Sequence, residues 1–312
     1  MITSIIIVNY KSAGVLQECI KSIAEFETIS DLEIIIVDNN SGDDSESIMT
    51  GLSNSYPQVK TIFLEDNRGF SYANNAGYEI SSGEYIVIMN PDIVLTENIL
   101  TKLREDLDNI ELGAVCPLLI GTDGKFQRNY FQRYPSLMQF IMFHSVFAKL
   151  FNWSSFLMNR YLEDQDINVD SGGIEFVAQI PGAFCMMRRR VFEDAGKMDE
   201  KYKLFFEDVD LSYQINKKYK LGVDTTKRVT HLGGTSFKTE DNWWLYGRYT
   251  VSMVYFFKKN YGDFRTGLLK VATKMNSYLI ILMEQLSGKK NSYRYKKHKY
   301  FIEELKKDPA LN

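Results

Sequence analysis

This sequence is sparing with the residues that mark several functional classes. Among 312 residues there are three Cys, three His and six Pro. Cys19, Cys116 and Cys185 lie far apart and are odd in number. That spacing excludes a disulfide framework and a CxxC metal site, and it fits a reducing compartment. No apolar run approaches the roughly 18 residues of a membrane span. No charged segment followed by an apolar one opens the chain, so no signal peptide is expected. Net charge is only −3, which argues against a general nucleic-acid role. Neither a GxGxxG dinucleotide fingerprint nor a GxxxxGK(S/T) phosphate loop is present. The expectation is a cytoplasmic protein, either free or peripheral to a membrane.

Aromatic residues are plentiful, with 19 Tyr and 20 Phe, which suit packed surfaces and sugar stacking alike. Charge is uneven. Residues 288–312 carry eight Lys or Arg against three Asp or Glu, a net of +5, so the rest carries −8. A basic tail on an acidic body points either to an anionic partner such as a membrane surface or to a solvated terminal helix, which a homo-oligomer contact would also suit.

The first 120 residues alternate. Apolar runs predict short buried strands at Ser4–Val8, Glu33–Val37, Thr61–Leu64, Tyr85–Met89 and Ala114–Cys116. Helical periodicity fills the gaps at Val15–Ala24, Glu46–Leu52, Tyr72–Ile80 and Asn98–Leu107. Such alternation with short links predicts an α/β fold with a mainly parallel sheet covered on both faces. The rhythm then breaks. Phe126–Tyr134 has strand character. Ser136–Met158 is apolar and reads as core, or as a substrate or membrane surface. Phe176–Arg190 resumes strand character and Glu207–Lys218 reads as a helix. Beyond Trp243 the pattern is helical, with Leu268, Leu269, Ala272, Met275, Leu279 and Leu282 at three- or four-residue spacing.

Five segments carry candidate chemistry. The first is Tyr85-Ile-Val-Ile-Met-Asn-Pro-Asp92, a buried strand that delivers Asn90 and Asp92 at its carboxyl end, where open α/β sheets bind ligands. Asp92 suits Mg²⁺ or Mn²⁺, and such a cation holds a diphosphate; an ordinary turn is the plain alternative. The second is the pair of strand ends Asn9-Tyr10 and Asp38-Asn-Asn40. Asp38 either accepts the N3–H of a pyrimidine framed by Asn9 and Tyr10, or caps the turn before Ser41-Gly42. In the third, Asn67-Arg-Gly-Phe70 leads into a helix whose start, with Arg68 beside it, favours an anion. Asn74 and Asn75 are weak helix formers, so propensity alone does not place them there. The fourth comprises Pro181-Gly182 inside a strand-like run and Phe205-Phe-Glu-Asp208 at a helix start. Gly182 permits close approach, and Glu207 and Asp208 gain a helix-dipole contribution of about 0.3–1 kcal/mol each. The two aromatic residues would desolvate the acids and raise a carboxylate pKa toward use as a base. The fifth is Thr230-His-Leu-Gly-Gly-Thr-Ser-Phe-Lys238. His231 is a structural histidine or a metal ligand, with Ser236 and Lys238 placed for phosphate.

Taken in order, these residues resemble family 2 glycosyltransferases, the inverting GT-A group, and within it the bacterial rhamnosyltransferase-like branch. The resemblance rests on Ile6-Ile-Val-Asn-Tyr10, Val37-Asp-Asn-Asn-Ser-Gly42, Asn67-Arg-Gly-Phe70, Ala73-Asn-Asn-Ala-Gly77, Met89-Asn-Pro-Asp92, Gly182-Ala-Phe-Cys-Met-Met-Arg188, Phe206-Glu-Asp-Val-Asp-Leu211 and His231. It implies a GT-A domain over residues 1–240, with a donor half to about 120 and an acceptor half beyond, followed by a helical, basic extension over 241–312. It further implies that Asp38 binds the base, that Asp92 and His231 serve a metal–diphosphate with Mg²⁺ or Mn²⁺, and that Asp208, beside Glu207, is the catalytic base. The implied donor is dTDP-L-rhamnose or a UDP-hexose, and the acceptor a saccharide or lipid-linked saccharide. The family's metal motif often reads Asp-x-Asp; its first position here is Asn90, a weaker ligand. Two other readings are a sugar-1-phosphate nucleotidyltransferase, which would want a glycine-rich loop after the first strand, and a non-catalytic nucleotide- or glycan-binding module.

Overall fold

A computed structural model of the chain describes residues 2–151, 153–161, 167–233 and 242–307. The described elements begin β1 (Thr3–Asn9), α1 (Ala13–Phe26), β2 (Leu32–Asp38), α2 (Ser45–Ser55), β3 (Val59–Phe63), α3 (Phe70–Glu79), β4 (Tyr85–Met89), β5 (Ile93–Leu95), α4 (Leu100–Leu107) and β6 (Leu112–Ile120). There follow α5 (Leu137–Gln139), α6 (Ser155–Tyr161), β7 (Ile174–Val177), β8 (Phe184–Arg188), α7 (Arg189–Asp194), α8 (Glu207–Ile215), β9 (Lys220–His231), α9 (Trp243–Tyr261), α10 (Asp263–Leu286) and α11 (Tyr293–Lys307).

Strand order is β3-β2-β1-β4-β8-β6-β9-β5, with β7 also paired to β9. The expected parallel arrangement holds across β3-β2-β1-β4. The rest is mixed: β8 runs against β4 and β6, β6 is parallel to β9, and β5 and β7 run against β9. β1, β2 and β4 are buried along their whole length, as their unbroken apolar runs require. On α1 the stripe Leu16, Cys19, Ile20 and Ile23 is buried against this sheet, and Gly77 of α3 lets that helix approach Ile6 and Val37 closely. β6 is longer than expected, and its pairing with β9 shifts register after Pro117, where proline's missing N–H is tolerated.

One expectation fails and another holds only in part. Phe126–Tyr134 is not a strand: only an isolated bridge links Phe126 to Ile120, and Arg128–Tyr130 forms a single 3₁₀ turn. Its alternating aromatics instead pack Phe131 into the core. Ser136–Met158 is not simply core. Ser136 and Gln139 form a capping box that starts α5, and Phe140 is buried, but Met138, Phe147, Leu150, Trp153 and Phe156 are exposed.

The chain forms two compact units. One comprises residues 1–132, 164–201 and 207–236; the other comprises 133–163, 202–206 and 237–312. The sheet and every described candidate residue belong to the first. In the second, α9, α10 and α11 pack together, with Tyr246 edge-on to His298 and Ser277 hydrogen-bonded to it at 3.0 Å.

Candidate active site

The topology gathers the candidate residues along one edge of the sheet. Asn9 and Asp38 are the last residues of parallel neighbours and pair in register. Asn90 follows β4, which is parallel to β1. Because β8 is antiparallel to β4, its beginning lies at the same edge, and the Asn90 N–H donates to the Ala183 carbonyl at 2.9 Å. Two reversals later β9 again ends there, at His231.

At the β1–β2 end the geometry is tight. The Asn9 amide donates to Asp38 at 2.7 Å and to the Ser45 hydroxyl at 2.8 Å. Asp38 also accepts from the Ser41 N–H at 3.0 Å and the Ser41 hydroxyl at 2.6 Å. The next turns are strained: Lys11 and Asn40 have left-handed φ of 54° and 57°. Such values are rare for side-chain-bearing residues and cluster at binding sites. Tyr10 is half-buried just before the first of these turns. Asn39, which sequence reasoning passed over, ties the strand end to the neighbouring loop. It donates to Asn67 at 3.1 Å and accepts from the Arg68 N–H at 3.3 Å. The Arg68 guanidinium lies 3.6 Å from the Tyr72 ring centre and is exposed. That stacking fixes a fork suited to phosphate.

On α3 the two asparagines divide their roles. Asn75 is a clip: its amide donates to the Met198 carbonyl and to Glu200, both at 2.9 Å. Asn74 donates to the Phe70 carbonyl at 2.9 Å. Its Oδ1, with Asn9 Oδ1 and Ser71 Oγ, is buried and has no hydrogen-bond partner among the described residues. Buried polar atoms are nearly always satisfied, so each of these is a candidate to meet a ligand atom.

The pairing of β5 with β9 sets Ile93 opposite His231, which brings the His231 Nε2 to 3.5 Å from Asp92 Oδ1. Both side chains are almost fully buried. Gln127 grips the histidine twice. Its Nε2 donates to the His231 carbonyl at 3.1 Å, which leaves its Oε1 facing His231 Nδ1 at 2.7 Å. A carbonyl cannot accept from an oxygen, so the amide orientation is fixed, Oε1 is the acceptor, and Nδ1 carries the proton. The lone pair of neutral His231 is then on Nε2, toward Asp92. Tyr130 packs edge-on to the ring at 4.9 Å. Gln127 was missed because its segment reads as a strand.

Gly182 and Asp208 meet as well. The Gly182 N–H donates to Asp208 Oδ2 at 2.9 Å, and the Val209 N–H donates to Oδ1 at 2.8 Å. A Cβ on residue 182 would sit 3.3 Å from the Asp208 Cβ, so glycine permits the approach. Beneath them is a cavity of about 10 Å³ lined mainly by Ile88, Ile180, Met198, Leu211 and Ile215. Phe205 and Phe206 enter the helix with left-handed φ of 65° and 70°. Bulky residues rarely adopt it, at a cost of order 1–3 kcal/mol each. Glu207 and Asp208 retain partial surface exposure, yet their carboxyl groups are crowded by protein, and Glu207 Oε2 is buried without a hydrogen-bond partner among the described residues. Burial, and then the Asp208 charge, push the Glu207 carboxyl up to about 8. Burial also raises Asp208, against the lowering effect of its backbone hydrogen bonds. Ser236 and Lys238 lie outside the described residues.

Asp92 and His231 fit a hard divalent cation in part. Among the described residues, no group of three or more His, Cys, Asp or Glu side chains gathers as a metal cage. Mg²⁺ and Mn²⁺ sites of the phosphate-bridging kind need only one or two protein ligands and take the rest from substrate and water. A carboxylate and an oriented imidazole lone pair supply that number.

Comparison with known proteins shows the family and the fold. Residues 4–196 match the family described as Glycosyl transferase family 2; Asp208 and His231 lie beyond the matched stretch. The chain is 29% identical over 112 residues to the glycosyltransferase GlyG of Streptococcus pneumoniae, covering 36% of this chain and 37% of that protein. It is 28% identical over 129 residues to the GalNAc(5)-diNAcBac-PP-undecaprenol β-1,3-glucosyltransferase of Campylobacter jejuni, covering 41% of each. The match thus spans less than half the length of either relative. Among solved structures, GalNAc-T7 with UDP, GalNAc and Mn²⁺ shares the fold at a TM-score of 0.60 and 15% identity, covering 99% of this chain and 57% of that one. The expected GT-A architecture is the one observed. With more than half its length matched, the chain belongs to glycosyl transferase family 2.

Proposed function

We propose that the chain is an inverting glycosyltransferase that moves a sugar from a nucleoside diphosphate to a hydroxyl of a saccharide or lipid-linked saccharide, in the assembly of a cell-surface polysaccharide. The observation that carries this reading is the convergence of Asn9–Asp38, Asp92–His231 and Gly182–Asp208 on one edge of the sheet. Asp38 and Asn9 bind the base, with Tyr10 framing it. Arg68, Asn67, Asn74 and Asn90 border the sugar-diphosphate. Asp208 takes the proton of the acceptor hydroxyl as its oxygen attacks the anomeric carbon. The bond to the diphosphate breaks on the opposite face, the electron pair leaves with the diphosphate, and configuration inverts. Held by Asp92 and His231, Mg²⁺ or Mn²⁺ would neutralise charge on the leaving diphosphate. Ser236 and Lys238 join the phosphate contacts in this reading.

The Asn90-Pro91-Asp92 sequence supports dTDP-L-rhamnose as donor, with a UDP-hexose as the second choice. A relative that acts on an undecaprenol-diphosphate glycan supports a lipid-linked acceptor and a place at the inner face of the cell membrane. Catalysis is assigned to residues 1–240 and positioning to the helical extension. The test is donor turnover with dTDP-L-rhamnose, UDP-hexoses and GDP-mannose in Mn²⁺, reading released nucleoside diphosphate and the anomeric configuration of the product. Inverted product from a dTDP or UDP sugar is expected. No release from any donor, or retained configuration, would overturn the reading.

A further inference from the structure

α10 presents an unusual outer face. Phe264, Leu268, Val271, Met275, Tyr278 and Leu282 are exposed and follow one another by four, three, four, three and four residues. That spacing places them along one side of the helix. Leu286, 80% exposed, continues the line. The opposite side is buried through Leu269, Thr273, Ser277 and Ile280. The face therefore carries more apolar surface than an isolated exposed leucine would, in one contiguous stripe.

A second apolar element meets α10 at its buried flank, within the same compact unit. The Val146 N–H donates to the Asn276 side chain of α10 at 2.8 Å. From there the chain exposes Phe147, Leu150, Trp153 and Phe156, with Trp153 83% exposed. The Trp153 indole N–H donates to the Leu150 carbonyl at 2.8 Å, so its polar atom is satisfied while the ring faces outward.

Charge identifies the occupant. Residues 133–161 contain no Asp or Glu, but they do contain Arg133, Lys149 and Arg160. On α10 the basic residues are Arg265, Lys270 and Lys274. Its acids are Asp263, at the first position, and Glu284, which is turned to Ser292 at 2.7 Å and Arg294 at 3.8 Å. An apolar stripe edged by cations and nearly free of anions complements a negatively charged, hydrocarbon-backed surface. A second copy of the chain fits worse. The midpoint of α10 falls at Lys274–Met275, so a parallel in-register pairing of two such helices would set Lys274 against its own counterpart, and an antiparallel one would set it against Met275 and beside the other Lys274. Among the described residues no helix is long and apolar enough to cross a membrane, so the stripe can only lie along one.

We propose that the outer face of α10, with the 147–156 segment beside it, docks on the surface of an anionic phospholipid bilayer. The stripe lies in the headgroup–acyl boundary, with Trp153 at the interfacial level such rings prefer. Lys274 and Arg265 contact lipid phosphates. The docking stands on this unit alone and does not depend on the glycosyl-transfer reading.

The experiment is co-sedimentation of the full chain with phosphatidylcholine vesicles and with vesicles that contain phosphatidylglycerol, at low and high salt. Binding is expected to phosphatidylglycerol vesicles and to weaken with salt. Lys274→Gln is expected to weaken it about fivefold at low salt, the equivalent of one basic residue near an anionic surface. Met275→Glu with Leu282→Glu should abolish it; both positions are exposed, so circular dichroism should match the wild type. As an independent readout, lipid brominated near the headgroup should quench part of the tryptophan emission, and Trp153→Phe should remove that part. Wild-type protein left in the supernatant of phosphatidylglycerol vesicles overturns the proposal. So does light scattering that shows a dimer converted to monomer by Met275→Glu with Leu282→Glu, which would make the face a contact between copies.

Discussion

The Asp38 carboxylate receives hydrogen bonds from Asn9, from the Ser41 N–H and from the Ser41 hydroxyl, all at the end of an unstrained strand. The Glu207–Asp208 pair sits at the same edge of the sheet but is treated differently. It follows two bulky residues in left-handed backbone, burial raises both acids, and one Glu207 oxygen is buried with no hydrogen-bond partner among the described residues. The contrast separates two uses of a carboxylate. Asp38, the acid proposed to recognise the base, is surrounded by hydrogen-bond donors. Asp208, the acid proposed to exchange a proton, also accepts two backbone N–H bonds, but burial outweighs them and raises its carboxyl.

Removing the proton acceptor should have the largest effect. Asp208→Asn is expected to lower turnover by about 10²–10⁴, the usual worth of a general base, while donor affinity stays within about twofold. Both Asp208 oxygens accept backbone N–H bonds, so the new amide meets one donor head-on and should destabilise the fold by about 1–3 kcal/mol. Turnover at the wild-type rate would make Asp208 a cap only.

The second prediction concerns the grip on His231. Gln127→Ala should weaken Mn²⁺-dependent nucleotide binding by about 10–100-fold, as the loss of an outer partner of a ligating histidine does. Gln127→Glu keeps the acceptor for Nδ1–H and should recover part of it. Equal losses in both variants would show that Gln127 only packs.

At the recognition end, Asp38→Asn should raise the donor Kd by at least about tenfold and leave turnover at saturating donor near wild type, since one hydrogen bond to a charged group contributes about 1.5–3 kcal/mol. A fall in turnover at saturation would erase the distinction between the two acids.

The last prediction concerns stability and the second acid. With the folded Glu207 carboxyl raised to about 8 and an unfolded value near 4.3, the folded chain keeps a proton that the unfolded chain gives up between these values. Wild-type stability therefore declines as pH rises through that window. Glu207→Gln carries no such proton, so its Tm should gain on the wild type between about pH 5 and 8. Parallel Tm curves for the two proteins would contradict the raised Glu207.

Much of this was legible in sequence because the signals are local. Ile5–Asn9, Ile34–Asp38 and Tyr85–Asp92 announce buried strands with polar ends, and parallel pairing then sets those ends side by side. The acids after Phe205-Phe206 announce a desolvated helix start. Other features were not legible because they depend on long-range pairing. Asp92 and His231 meet because β5 pairs with β9, a proximity that the family resemblance implied but no local pattern carries. Gln127 reaches His231 from a segment whose alternating aromatics imitate a strand. Periodicity in α10 reported an apolar side but not which way it faces: Leu269 is buried, while Met275 and Leu282 are exposed. A repeat of three and four residues is the same for a stripe turned to a core and for one turned to solvent.

Glycosyl transfer at this edge of the sheet requires that it bind a nucleoside diphosphate together with a divalent cation. Calorimetric titration of dTDP and UDP into the full chain, with Mn²⁺ and again with EDTA, measures it. At least one nucleotide should bind with Mn²⁺, bind at least tenfold more weakly in EDTA, and lose its metal dependence in Asp92→Ala. Nucleotide that fails to bind, or that binds equally well in EDTA, would contradict the account.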